Sequence, residues 1–117
     1  MRRIQKTLLA LSLGIAIPVS VQAGGDALVK EGAKIFKTKN LGNCISCHAA
    51  NGKKLDGPGS LGPKLTGLSA WPEKALHDKI YDPYTTNPIS AMPPFGKNGW
   101  LDEHQIQALV AYLKTIN

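Results

Sequence analysis

Cys44-Ile45-Ser46-Cys47-His48 sets two thiols two residues apart, with an imidazole immediately after the second. Three chemistries use such a pair. C-x-x-C-H is the attachment signature of c-type haem: the thiols form thioethers with the two vinyl groups on one edge of the porphyrin, and the histidine, here His48, ligates the iron from the proximal side. A redox dithiol of the thioredoxin kind places C-x-x-C at a strand-to-helix junction, but no alternating strand pattern precedes Cys44. A zinc site needs four ligands, and two cysteines with one histidine leave it incomplete. The chain has only these two cysteines, and a disulfide between them would close a tiny loop and constrain almost nothing. The spacing therefore favours one covalently attached haem c, held by Cys44 and Cys47.

His48 fills one axial position of an iron, so a second soft or imidazole ligand is sought. Apart from the initiator, Met92 is the only methionine. It stands in Ala91-Met92-Pro93-Pro94-Phe95-Gly96, where two prolines fix the main chain and remove backbone donors, which suits a loop that holds a thioether against iron. The competing reading is that Met92 is core filler. His77 and His104 are rival ligands; both fall on predicted helices, where solvent-facing positions are expected.

The elements that must position these groups read as helices joined by irregular segments. Asp26 to about Thr38 has Leu28, Val29 and Ala33 around one helical face, with Gly32 and Phe36 four apart. A glycine inside a helix costs about 1 kcal/mol relative to alanine, so Gly32 points to a close crossing by another helix. Asp102 with Gln105 three residues on is a capping-box pair, and Ile106, Leu109, Val110, Leu113 and Ile116 follow as an apolar stripe at helical spacing. Phe36 and Tyr112 are expected to pack about the crossing. Cys44 to about Ala50 is predicted as a short helix, 51–68 as a glycine-rich loop, and Pro72 to Tyr81 as a third helix with Leu76 and Ile80 inward. The stretch 82–99 contains Pro83, Pro88, Pro93 and Pro94 and is neither helix nor central strand. The expected class is all-α, three to four main helices packed around one haem, with long Gly/Pro-rich loops.

Of the 117 residues, 1–23 read as a secretory signal peptide: a basic start at Arg2, Arg3 and Lys6, an apolar run from Thr7 to Val19, and a small-residue cleavage site at Val21-Gln22-Ala23. The apolar run is interrupted by Pro18 and is shorter than the roughly 20 residues of a membrane span, so no stable membrane anchor is expected. Residues 24–117 then form one domain of 94 residues with a formal charge of +3 and no basic run longer than Lys53-Lys54. That leaves no electrostatic footprint for nucleic acid. Seven aromatic residues are a thin supply of core for a domain of this size. Something besides side chains is expected to fill it.

Together these residues resemble the class I cytochromes c over the whole of 24–117: Gly32-x-x-x-Phe36, the C-x-x-C-H at 44–48, Gly62-Pro63-Lys64-Leu65-x-Gly67, Met92-Pro93 and Leu109-x-Ala111-Tyr112-Leu113-Lys114. The resemblance implies a cytochrome c fold in which the Pro63 carbonyl accepts a hydrogen bond from the free nitrogen of the proximal imidazole and fixes its tautomer. Gly57-Pro58 is a second candidate, without the following Leu-x-Gly. Ile80-Tyr81-Asp82 and Asn87-Pro88-Ile89-Ser90-Ala91-Met92-Pro93-Pro94-Phe95-Gly96 more narrowly resemble the SoxX family, small cytochrome subunits of the periplasmic SoxAX (L-cysteine S-thiosulfotransferase) complexes of thiosulfate oxidation. That implies a heterodimer with a larger, SoxA-like cytochrome that joins thiosulfate to a cysteine of a sulfur-carrier protein, while this chain takes up the released electrons and passes them to a cytochrome or oxidase. The alternative is a freestanding soluble shuttle to a terminal oxidase.

With both cysteines used as thioethers, no thiol remains as nucleophile or sulfur carrier; no paired carboxylates or Ser-His-Asp arrangement stand out, so no catalytic residue is assigned. Partner contact is expected at the haem edge near Cys44 and Met92, with Ile45, Pro93 and Pro94 contributing. A gas or redox sensor would need an open sixth position, which Met92 opposes. The leader reading predicts that the native protein begins at Gly24 and carries the added mass of one haem; intact-mass spectrometry showing Met1 in the haem-loaded form would refute it.

Overall fold

The computed structural model describes Gly14 and residues 21–117. The expected leader, 1–23, thus lies outside the described residues except for Gly14 and the first residues of a helix. Among the described residues there are three α-helices, α1 Val21–Lys37, α2 Glu73–Tyr81 and α3 Glu103–Leu113, with single 3-10 turns at Cys44–Ser46, Leu68–Ala70 and Pro83–Thr85. Among the described residues the β-type pairing is one isolated parallel bridge between Ala50 and Leu65. The class is all-α, as expected. No helix of the described residues is long and apolar enough to cross a membrane.

The α1–α3 crossing organises the domain. A methyl group added at Gly32 would lie 2.8 Å from Tyr112 Cβ and run into the Ala108 carbonyl, so the backbones meet there with no room for a side chain. One turn on, the Phe36 and Tyr112 rings pack with centroids 5.3 Å apart at 60°. Ile106, Leu109, Val110, Leu113 and Ile116 are all buried, so the helical stripe is the face that α3 presents to the core. At its start the Asp102 carboxylate accepts the Gln105 amide at 2.8 Å and the Gln105 side chain accepts the Asp102 amide at 2.9 Å. Two of the orphan donors at the helix start are thereby satisfied.

Two boundaries differ from the sequence reading. α1 begins at Val21 rather than Asp26; Gln22 and Ala23 are good helix formers and carry the helix back through Gly24-Gly25. The helix predicted for Cys44 to Ala50 is only a 3-10 turn over Cys44–Ser46. The carbonyls that would continue it are taken by the following loop: Ile45 accepts from the Gly59 amide at 2.9 Å and Cys47 from the Gly62 amide at 2.8 Å. Ala49 accepts from Leu65, and the Asn51 amide donates back to Leu65, both at 2.8 Å. The glycine-rich loop is thus laced across the Cys-x-x-Cys turn.

α2 starts one residue after Pro72, which occupies the N-cap, and buries Leu76 and Ile80. Its outer face is tied to α3 by His77, whose Nε2 lies 3.0 Å from Glu103 and whose Nδ1 lies 3.1 Å from Asp78, with the ring stacked on Tyr81. The long loop that follows folds back on α2: the Lys97 amide donates to the Tyr81 carbonyl at 3.0 Å, and Gly96 lies against the Tyr81 ring, where a methyl would collide.

Hydrogen bonds to Glu103 first and Asp78 second hold the His77 imidazole above its ordinary value of 6.5. Lys74 first and His77 second depress the Asp78 carboxylate, and His77 depresses that of Glu103. A raised imidazole contributes stability that is complete below 6.5 and is lost as pH rises through the higher folded value. The stability difference between wild type and His77→Gln should therefore shrink as pH is raised from about 6 to about 9; a difference independent of pH in denaturant titrations would overturn this.

Candidate functional site

A hollow of about 800 Å³ opens between the Cys-x-x-Cys turn, the glycine-rich loop, α2, α3 and the 82–99 loop. Cys44, Cys47, His48, Pro63 and Met92 all line it. Residues from opposite ends of the sequence motif list are therefore brought to one place.

The Cys-x-x-Cys wall is fixed from both sides. Asn43, with a left-handed φ of 49°, turns the chain into the 3-10 turn, and the His48 amide donates to the Cys44 carbonyl at 2.9 Å. His48 Nδ1 lies 2.7 Å from the Pro63 carbonyl. A carbonyl only accepts, so Nδ1 carries the proton and Nε2 is left with its lone pair as the available ligand nitrogen. A methyl added at Gly62 would stand 2.7 Å from Nδ1 and 2.8 Å from Nε2 of that ring. Only glycine there lets the loop approach the imidazole closely enough to bond it. Gly57-Pro58, the other candidate, lies away from the cavity; Gly57 has a φ of 58° and open space around it, the geometry of a surface turn.

On another wall, Met92 is half-buried and packs against the core. Its amide donates to Ser90 Oγ and its carbonyl accepts from the same hydroxyl, each at 3.1 Å. Leu68, Leu76, Ile80, Leu109 and Leu113 line the interior, while Trp71 and Trp100 stand at the mouth. Lys114 holds the Trp71 turn against α3 by donating to the carbonyls of Ser69 and Trp71. His77 and His104 lie outside the hollow; His104 pairs with Glu31 at 2.9 Å across the α1–α3 surface.

Burial, the largest effect, pushes the Cys44 thiol up to about 12, so it is a neutral and poorly nucleophilic thiol in this setting. The donor chemistry fits a haem: two thiols on one wall, an imidazole with its Nε2 free, a thioether on a second loop, and an apolar interior between them. Cys44 and Cys47 would hold the porphyrin edge, and His48 and Met92 would approach the iron.

The family described as cytochrome c oxidase, cbb3-type, subunit III matches residues 27–113. The chain belongs to this family of c-type cytochromes. Its fold is SoxX-like: a chain in the crystal structure of SoxXA from P. pantotrophus superposes with a TM-score of 0.65 at 29% identity, covering 74% of this cytochrome and 79% of that chain. An uncharacterized lipoprotein of Aquifex aeolicus (strain VF5) is 35% identical over 74 residues, 62% of this cytochrome. The match spans only 35% of the lipoprotein's own length. Membership implies a haem.

Sequence reasoning missed two groups at this site. Ser90 carries a readable signal, a hydroxyl two residues before a methionine that is followed by two prolines. Lys114 carries none, because its partners lie more than forty residues away.

Gly62→Ala should force the His48 ring from the Pro63 carbonyl. It is expected to destabilise the haem-loaded protein by about 1–3 kcal/mol, the usual cost of overpacking, in guanidinium unfolding followed by haem absorbance. Gly25→Ala, where a methyl meets nothing, should be neutral or slightly stabilising in its helical position; equal stability of both variants would overturn the role assigned to Gly62.

Proposed function

We propose that this cytochrome is an exported, periplasmic monohaem protein, with residues 1–23 removed, that acts as the electron-accepting subunit of a SoxAX-type complex in thiosulfate oxidation. Haem c is held by thioethers to Cys44 and Cys47, with His48 and Met92 as axial ligands and the Pro63 carbonyl fixing the His48 tautomer. The carrying observation is the convergence of Cys44, Cys47, His48 and Met92 on one hollow, joined to the likeness to SoxXA. When bound, haem supplies a one-electron iron couple, and His/Met ligation raises its potential relative to harder ligand sets.

The chain's own residues do the rest. Pro63 keeps the Nδ1 proton in place, the Met92 loop presents a soft donor, and the leucine-lined interior keeps water from the site. Both cysteines are spent on the haem, so sulfur chemistry belongs to a SoxA-like partner and this chain carries electrons onward. Of the groups expected at the partner contact, Ile45 and Pro93 are half-exposed, whereas Pro94 is buried and drops out.

A freestanding shuttle to a terminal oxidase is the second reading, favoured by the oxidase-subunit description of the matching family. Stopped-flow absorbance separates the two. Thiosulfate alone should leave the haem oxidised, and reduction should appear only when a SoxA-like cytochrome and the sulfur-carrier protein are both added. Rapid reduction of the isolated protein by thiosulfate would refute the subunit reading, and no reduction in the full mixture would favour the shuttle.

A further inference from the structure

The loop that presents Met92 is unusually poor in backbone donors. Pro93 and Pro94 have no N–H, and the next amides are engaged elsewhere, Phe95 with the Pro93 carbonyl at 3.1 Å and Asn98 with the Pro94 carbonyl at 2.9 Å. Between residues 92 and 94 the single backbone donor is the Met92 amide. Both polar groups of the Met92 backbone are met by one side chain, the Ser90 hydroxyl, which accepts from the amide and donates to the carbonyl. A hydroxyl has one proton and two lone pairs, so it can do both at once.

Ser90 is itself anchored to the body of the protein. Its amide donates to the Asn87 carbonyl at 3.0 Å, and the Asn87 amide donates to the carbonyl of Pro83 at 3.0 Å. Pro83 is fully buried. A chain of hydrogen bonds thus runs from the core, through two turns, to the Met92 backbone. Methionine has three rotatable bonds and adapts its shape freely. A fixed backbone is therefore what limits where its sulfur can go.

We propose that Ser90 is a positioning residue for the sixth ligand: by clamping the Met92 backbone it holds the thioether in the hollow and sets how readily another ligand displaces it. The inference rests on Met92 ligation as proposed above, and the experiment keeps the two apart. Imidazole is titrated into the oxidised, haem-loaded protein, and displacement is followed by loss of the sulfur-to-iron charge-transfer absorption and the accompanying Soret shift.

Alanine at position 90 removes both bonds and leaves the Met92 carbonyl without a partner. At the net worth of one to two hydrogen bonds, Ser90→Ala should bind imidazole about tenfold more tightly than wild type, because the displaced state is correspondingly easier to reach. Ser90→Thr keeps the hydroxyl and should restore the wild-type affinity. In a Met92→Ala background the substitution at 90 should have no effect, since no thioether is left to position. Wild-type imidazole affinity in Ser90→Ala, or the same tightening with Met92 already removed, would overturn the proposal while leaving Met92 ligation intact. If Met92→Ala itself preserved the charge-transfer absorption, the ligand assignment would fall, and Ser90 with it.

Discussion

An interior hollow of about 800 Å³ is the constraint on which this structure depends. Protein interiors are packed as densely as organic crystals, and a domain of fewer than a hundred residues has little apolar surface to spare. Among the described helices, α1 and α3 make the most extensive contact. Elsewhere α2, the glycine-rich loop and the 82–99 loop each contribute side chains to the lining of the hollow. A haem held there, as proposed above, would be the shared partner of the surrounding elements, core as well as cofactor. The few aromatic residues and the lack of any cross-chain disulfide then cease to be anomalies.

The loops acquire a purpose from the same constraint. An α-helix bonds its interior carbonyls within itself and has few to spare for a neighbouring loop. The Cys-x-x-Cys turn instead surrenders the Ile45 and Cys47 carbonyls to Gly59 and Gly62. That exchange shortens the helix and lays the loop over it, which brings the Pro63 carbonyl to His48 Nδ1. Two glycines and a proline thus accomplish what a longer helix would have prevented.

Much of this was legible in the residues themselves. C-x-x-C-H, Gly32 with Phe36, the Asp102-Gln105 cap and the α3 stripe are local patterns whose physics is complete within one turn or one helix. Gly62-Pro63 was legible only through its family resemblance, since nothing in its composition separates it from Gly57-Pro58. The length of the Cys44 helix was misread for a physical reason: helical spacing records what a segment can do, and here partners more than ten residues away claimed its carbonyls. The Lys114 staple to the Trp71 turn was illegible because it joins elements that only the folded chain brings together.

On the ligation proposed above, the two axial sides would be held by different means, and the difference follows from sequence. His48 belongs to a turn in which the Ser46, Cys47 and His48 amides and the Cys44, Ile45 and Cys47 carbonyls are engaged, and a further bond to Pro63 orients its rigid, planar ring. Met92 belongs to a segment stripped of donors by Pro93 and Pro94, and its side chain is the most adaptable of the apolar residues. Proline supplies stiffness in φ but no hydrogen bond, so stiffness alone would leave the loop free to lift as a unit. The hydroxyl two residues earlier supplies the missing tether. With that ligation the His48 side would be held by several bonds and the Met92 side by one bond pair, and an exchange of ligand would start from the Met92 side.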